Sequence, residues 1–404
     1  MNYETYHAKI LDYYCQKVIF VRKKLYFCKK YFDSIHHITE KLRFIHVFHK
    51  TVALVALLLV SLSLYAGNGK GNLIRQLGNL IDTLTVRGID KQYIHVPEKP
   101  WQVMLKGNAN EMNLDVESFY RGEGLDYRWD SKLETGTSKS FGAWVGYRGY
   151  GLGYQFTIGS VEGANFNFGV GGSTYTIRLN VRRFKTSETD IRFRGAITDE
   201  ETPDFDDKVK MEMDEPIFVK STLLEGYYMF NGKHFSNTAG YDQSTIQLRS
   251  AGSVIVGASW FTADIDYAAN INTLFVMMMN NIGRIKVNQL NIGAGYAYNW
   301  VPAKGWLVNA MFMPSLAAIN RLKMWNYDIN PNLDKDEPLL VPKDVTVSHS
   351  RLKVNLAGWL TLVYNHKDWF ATLKGQWNQF TYKRNDSSGQ LSNWYVNVGI
   401  GKRF

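Results

Sequence analysis

The sequence predicts an all-β protein: a single antiparallel transmembrane β-barrel of about twelve strands, preceded by a short periplasmic segment. Ten or fourteen strands also fit. Three observations carry this. The last stretch, SNWYVNVGIGKRF (392–404), alternates, with Val396, Val398, Ile400 and Phe404 on one face and Asn397, Gly399, Gly401 and Arg403 on the other. A period of two belongs to a strand. In most later runs the second face is small or polar (Arg, Lys, Asn, Thr, Gly), whereas a soluble sandwich needs two internal faces of Leu, Ile and Val. Aromatic residues reach 14%, including 24 Tyr and 11 Trp, which suits interfacial girdles.

Mean hydropathy is slightly negative, which excludes a helical membrane protein. A barrel shows little bulk hydrophobicity because half of each strand faces inward. The formal charge of +10 is concentrated at the start, where residues 1–66 hold ten Lys/Arg and four Asp/Glu. The remainder carries 37 basic and 33 acidic groups, a balance that does not suggest a nucleic-acid binder. Both cysteines, Cys15 and Cys28, precede residue 66. The rest therefore has no disulfide, thiol chemistry or Cys-held metal, and no lipoprotein processing. No cofactor is expected.

Residues 51–67, TVALVALLLVSLSLYAG, form the only long apolar run. Basic flanks (Lys41, Arg43, Lys50) and small residues at its end fit a cleaved signal peptide at 51–66, after Ser63 or Ala66. The run is short of the roughly 20 residues a transmembrane helix needs. Residues 1–50 are long, basic and aromatic for a leader, and two readings compete: a cytoplasmic extension, or translation beginning near residues 42–50. Residues 67–100 form the periplasmic N-terminal segment, with helical spacing at 72–84 (Leu73, Ile74, Leu77, Leu80, Ile81, Leu84). The barrel is expected over 101–404.

The first strand runs from Trp101 to about Glu117. Trp101, Val103 and Leu105 share one parity while Met112, Leu114 and Val116 share the other, so a bulge is expected near 107–110. Strands at 138–147 and 150–158 flank a tight Arg148–Gly149 turn. Further strands are expected at 173–184, 189–197, 217–230, 248–266, 286–300, 306–318, 350–364, 369–383 and the C-terminus. With both termini in the periplasm, the periplasmic connections are 148–149, 185–188, 231–247, 301–305 and 365–368. The outer ones are 119–137, 159–172, 198–216, 267–285, 319–349 and 384–391. The outer set is mostly long and the periplasmic set mostly short, as in outer-membrane barrels. Closure follows from lipid, which offers backbone groups no hydrogen-bond partner.

The stretches YIHVPEKPWQVML (93–105), GYRGYGLGYQF (146–156), EGYYMFNGKHFS (225–236), QLRSAGS (247–253) and the terminal strand resemble a family of Bacteroidota outer-membrane barrels grouped as a domain of unknown function. The resemblance covers 93–404 and is carried most specifically by FNGKHF…RSAGS. It implies an outer-membrane barrel with no established activity and no catalytic residues to transfer. In such bacterial barrels a terminal Phe, here Phe404, is read by the assembly machinery. Outer-membrane lipid and that machinery are thus the expected partners, after export through the inner membrane.

The charges expected to line the lumen are Arg178, Arg182, Arg192, Arg194, Arg351, Lys353 and Lys374, with Glu111, Asp115 and Glu117 from the first strand. A cationic lining passes or binds anions, giving a small porin-like pore. Equally, such charges pair and close a narrow interior. The acidic stretch 198–215 holds nine carboxylates but no Asp-x-Asp-x-Asp-Gly loop, so a solvated loop is expected rather than a Ca²⁺ site. An enzymatic reading, as a lipid hydrolase or acyltransferase, rests on His349 between Ser348 and Ser350, but adjacent strand residues point oppositely. A third class is a non-conducting structural or adhesive barrel that binds through its outer loops.

Overall fold

The computed structural model describes residues 88–404 apart from 123–124, 135–136, 160–161, 197–204, 280, 332–336, 350–352 and 384–386. The described strands in chain order are β1 (Ile94–His95), β2 (Trp101–Gly122), β3 (Leu125–Glu134), β4 (Ser138–Tyr147), β5 (Tyr150–Ile158), β6 (Glu162–Gly171), β7 (Tyr175–Ala196) and β8 (Phe205–Met229). They continue with β9 (Ile246–Gln247), β10 (Ala251–Asp266), β11 (Ile282–Trp300), β12 (Trp306–Ile329), β13 (Leu340–His349), β14 (Val354–His366), β15 (Trp369–Lys383) and β16 (Ser387–Arg403). Two short helices interrupt them, α1 (Asn237–Tyr241) and α2 (Thr273–Met278).

Twelve strands close into one antiparallel ring: β2, β4, β5, β6, β7, β8, β10, β11, β12, β14, β15, β16, and back to β2. The seam pairs Gln102 with Arg403 and runs unbroken to Ser118 opposite Ser387. Phe404 completes it by exchanging backbone hydrogen bonds with Trp101. The fold is thus the expected barrel, and twelve is the observed number. Two of the strands were placed differently. Residues 162–171, expected in a loop, form β6, and the two strands expected at 173–184 and 189–197 are one continuous β7. The polar KTSET stretch continues the ladder, with one irregularity between Thr186 and Glu188. The Arg148–Gly149 turn has positive φ at both residues, 48° and 88°, the backbone of a tight hairpin matched to strand twist.

A membrane strand needs roughly 9–11 residues, yet β2, β7, β8 and β12 have 22, 22, 25 and 24. The wall therefore has two storeys. At the end of the barrel that carries Trp101 and Phe404 the outward residues are large and apolar, among them Val103, Leu105, Val254, Val256, Ile292, Leu360, Val398 and Ile400. Trp101, Trp300, Trp306 and Trp369 edge that belt, exposed at its strand ends. In the outer storey the inward residues are apolar instead. Met112, Phe184, Ile217, Val219, Phe261, Ile265, Ile285, Leu322, Met324 and Phe380 form one buried cluster, joined by Phe275 and Val276 of α2. Phe261 and Phe380, from strands that are not neighbours in the ring, stack at 4.0 Å between centroids.

This inversion removes the bulge expected in β2. Its ladders with β16 and β4 carry no register shift. Gln102, Met104, Asn108, Asn110 and Met112 are all buried at one parity. Apolar Met112 faces inward because it has passed into the outer storey. Segments expected as outer loops are largely strand here too, since β12 extends to Ile329 and pairs with β13. β3 joins β2 to β7 directly, so the ring bypasses the shorter β4, β5 and β6 on the outer side.

Candidate functional site: a chamber against a lumenal plug

Residues 231–247 were expected to be a periplasmic connection, the one long exception on that side. They fold back inside the barrel instead. Phe235, Ser236, Asn237, Thr238, Ala239, Asp242 and Gln243 are all at most 3% exposed. Side chains from around the wall hold this plug by its backbone. Gln102 Nε2 donates to the Asp242 carbonyl at 2.8 Å, Arg403 Nη2 to the Gln243 carbonyl at 2.8 Å and Asn299 Nδ2 to the Ser236 carbonyl at 2.8 Å. Such bonds satisfy backbone groups that burial would otherwise leave unpaired. Within the plug, the hydroxyls of Ser236, Thr238 and Thr245 share hydrogen bonds of 2.7–3.0 Å.

The plug explains the composition of β6. A Cβ on Gly171 would lie 2.6 Å from Thr238 Cγ2, and one on Gly169 would already touch the Tyr241 ring. Inward glycines let the plug approach the wall. A strap clasps the plug. β1 pairs with β9, and Asp90 Oδ2 lies 3.5 Å from His234 Nε2. The Tyr93 ring packs on His234 at 4.5 Å.

Arg178 lies at the plug's wall contact and is fully buried. It faces Glu225, its cross-strand partner in the β7–β8 register, at 4.0 Å. Glu225 accepts a hydrogen bond from Tyr227 Oη at 2.7 Å. The guanidinium carbon lies 4.3 Å from the ring centres of Tyr241 and Trp359 and 4.8 Å from that of Tyr227. Three π faces thus surround one cation, an arrangement that strengthens as water is removed.

Beside this stack is a small chamber of about 50 Å³, partly open to solvent. Lys106, Arg182 and Lys374 line it, and no carboxylate does. Each cation meets an aromatic ring. Lys106 Nζ lies 4.9 Å from Trp144, Arg182 Cζ 4.8 Å from Tyr395, and Lys374 Nζ 4.1 Å from Tyr241 of the plug. Arg182 Nη1 also donates across the lumen to Asn393 Oδ1 at 3.2 Å.

Among the charges expected to face the lumen, Arg178, Arg182 and Lys374 are buried inside the ring. Lys353 is half-buried at the start of β14, its carbonyl bonded to the Ala317 amide. Glu111 and Asp115 are placed otherwise: with no bulge they keep the parity of Trp101, Val103 and Leu105 and stand on the outer surface. Thr137 donates to Glu111 there at 3.2 Å. Arg351, and the side chains of Arg192, Arg194 and Glu117, lie outside the described residues. His349 is exposed on β13 opposite Arg321. Sequence reasoning missed Lys106, Glu225, Tyr227, Tyr241, Trp359 and Tyr395. Only the unusual length of the 231–247 connection pointed to the plug that organises them.

The chain belongs to the family described as Domain of unknown function (DUF4421), whose model matches residues 88–404. No curated protein matches it by sequence. Among solved structures it is similar to the outer membrane protease OmpT from Escherichia coli, at 10% identity and a TM-score of 0.30, covering 76% of this chain and 97% of that one. It is also similar to the translocator domain of the autotransporter NalP from Neisseria meningitidis, at 9% identity and 0.28, covering 82% and 96%. A third is OprG from Pseudomonas aeruginosa, at 9% identity and 0.23, covering 78% and 99%.

Proposed function

We propose that this protein is an outer-membrane barrel that is shut at rest and that admits small anions when its plug moves. The apolar belt supports a lower storey in lipid, where only a closed barrel or a helix satisfies its backbone. The observation that carries the reading is the chamber wall: three cations, no carboxylate, and a plug residue, Tyr241, seated on one of those cations. Cations facing a confined space favour anions. The plug blocks the periplasmic side, so the same geometry argues against an always-open channel.

Planar-bilayer conductance tests this. The intact protein is expected to be silent. Replacing 231–245 by a short turn is expected to give stable, anion-selective conductance, with the selectivity reduced by Lys374→Gln. A folded, heat-modifiable plugless barrel that still passes no current would overturn the pore. A second reading, a non-conducting surface or structural barrel, is favoured by the Phe261–Phe380 stack across the outer storey. That result would select it.

A further inference from the structure

The strand registers set outward residues in rows around one side of the wall. At the edge of the apolar belt Leu179, Leu224, Trp260, Leu290 and Ile319 stand opposite one another across β7, β8, β10, β11 and β12. Two residues further along come Thr222, Thr262 and Asn288, and Trp260 Nε1 donates to Asn288 Oδ1 at 2.7 Å. A ring that is apolar in body and polar at its tip marks a lipid–water boundary. Two residues beyond that, the row reads Arg183, Lys220, Asp264, Lys286 and Lys323. Arg183 faces Lys220 directly and Lys286 faces Lys323, although like charges opposite each other destabilise a sheet. Asp264 is engaged by Arg284 at 2.7 Å, and the four cations of the row are in no ion pair among the described residues. The other side of the wall differs. In the two rows beyond Trp377 and Trp394, the outward residues of β15, β16 and β2 are Gln379, Ser392 and Asn113, then Thr381, Gln390 and Asp115, without a cation.

We propose that this arc docks a membrane lipid whose headgroup carries two phosphates. The inference goes beyond the pore reading: it needs the apolar belt in lipid, and neither the plug nor the lumen. Acyl chains lie against the belt that ends at Leu224, Trp260 and Ile319, and the long Lys and Arg side chains of the cationic row reach the headgroup layer. Phosphate oxygens then supply the negative charge that both like-charge pairs need, through charge-assisted hydrogen bonds. The two pairs are three strand spacings apart, about 14 Å, so each faces its own phosphate, with Asp264 and its partner Arg284 between them. A headgroup with one phosphate would leave one pair unanswered, and a zwitterionic headgroup would bring a cation to a cationic wall. Lys220 and Lys323 are held at the wall by the rings of Phe218 and Trp325, each centred 4.6 Å from the ammonium nitrogen. The row is thus placed before lipid arrives, which lowers the cost of ordering it.

Native mass spectrometry of the intact protein, folded in neutral detergent, reads lipid retention directly. The probes are diphosphoryl lipid A, monophosphoryl lipid A and phosphatidylcholine, with inorganic phosphate as competitor. Diphosphoryl lipid A is expected to be retained at least about tenfold better than either other lipid, since each cation at a membrane surface contributes on the order of fivefold. Lys286→Gln together with Lys323→Gln should abolish that preference, and Lys286→Arg with Lys323→Arg should keep it. Lys304→Gln with Lys343→Gln removes the same charge outside the arc and should change nothing. Heat-modifiable migration on gels establishes that each variant is folded. Equal retention of the mono- and diphosphorylated lipids, a preference that survives the Lys286 and Lys323 exchange to Gln, or an equal loss in the Lys304 and Lys343 control overturns the inference. So does displacement by inorganic phosphate at equal concentration, which would make the row a free-anion site, and so does no retention of any lipid. Conductance plays no part in this readout.

Discussion

Along β10 the outward residues are Val254, Val256 and Trp260 in the first half, and Thr262, Asp264 and Asp266 further along. The inward ones are Ser253, Ile255, Gly257 and Ser259, then Phe261, Ala263 and Ile265. The strand keeps its parity while the chemistry of its two faces exchanges. The lower storey is apolar outside and mixed inside, where Met229, Ile255, Met311, Met313 and Trp359 cluster beside polar side chains. The outer storey is built like a soluble protein, with a packed core and surface ion pairs such as Arg284–Asp264 at 2.7 Å. One ladder serves two solvents, and the solvent decides which face is greasy.

Mutations break this comparison in unequal ways. The largest effect is expected in the outer core. Phe261→Ala removes one ring of the stacked pair and should cost about 3–5 kcal/mol in denaturant unfolding. A loss below about 1 kcal/mol would mean the outer storey is not a packed core. Next comes the lipid face. Leu360→Arg is expected to cost about 2–4 kcal/mol, the range for a cation at the bilayer midplane. Thr262→Arg, also outward but above the belt, should stay within roughly 0.5 kcal/mol. Equal costs at the two positions would erase the boundary between the storeys.

The smallest effect is expected at the exposed Lys99–Asp368 contact on the barrel rim. Lys99 donates to Asp368 and holds its carboxyl below the ordinary 3.8. A depressed carboxyl contributes stability that is complete above its unfolded value and is lost as the pH falls through the folded one. The contribution should therefore fade only below about pH 4, and Lys99→Met should slightly flatten the acid limb of unfolding. An identical acid limb in the variant would show that this exposed contact contributes nothing.

The barrel was legible because Val396, Val398, Ile400 and the Tyr150–Ile158 run lie in the belt, where apolar means outward. That same rule misled above the belt. Met112, Leu114 and Val116 read as a change of register, although the ladder continues unbroken. β6 was hidden because Asn165, Asn167, Gly169 and Gly171 face the lumen and plug, a pattern with the composition of a loop. The candidate site was half legible. Arg178, Arg182 and Lys374 follow from strand parity, but Tyr241 reaches Lys374 only because a distant segment folds inward, and no periodicity encodes that.

The two strands that meet at the seam each send a side chain to the plug: Gln102 from β2 to Asp242, and Arg403 from β16 to Gln243. These contacts join residues 140 and 160 positions apart, and the seam itself joins the two extremes of the ring. Pairing this non-local is slow, because loop-closure entropy is lost before contacts return it. With the middle of the chain already seated, both ends find fixed acceptors in one place. Plug docking and ring closure are therefore expected to be coupled in folding, since each supplies partners to the other.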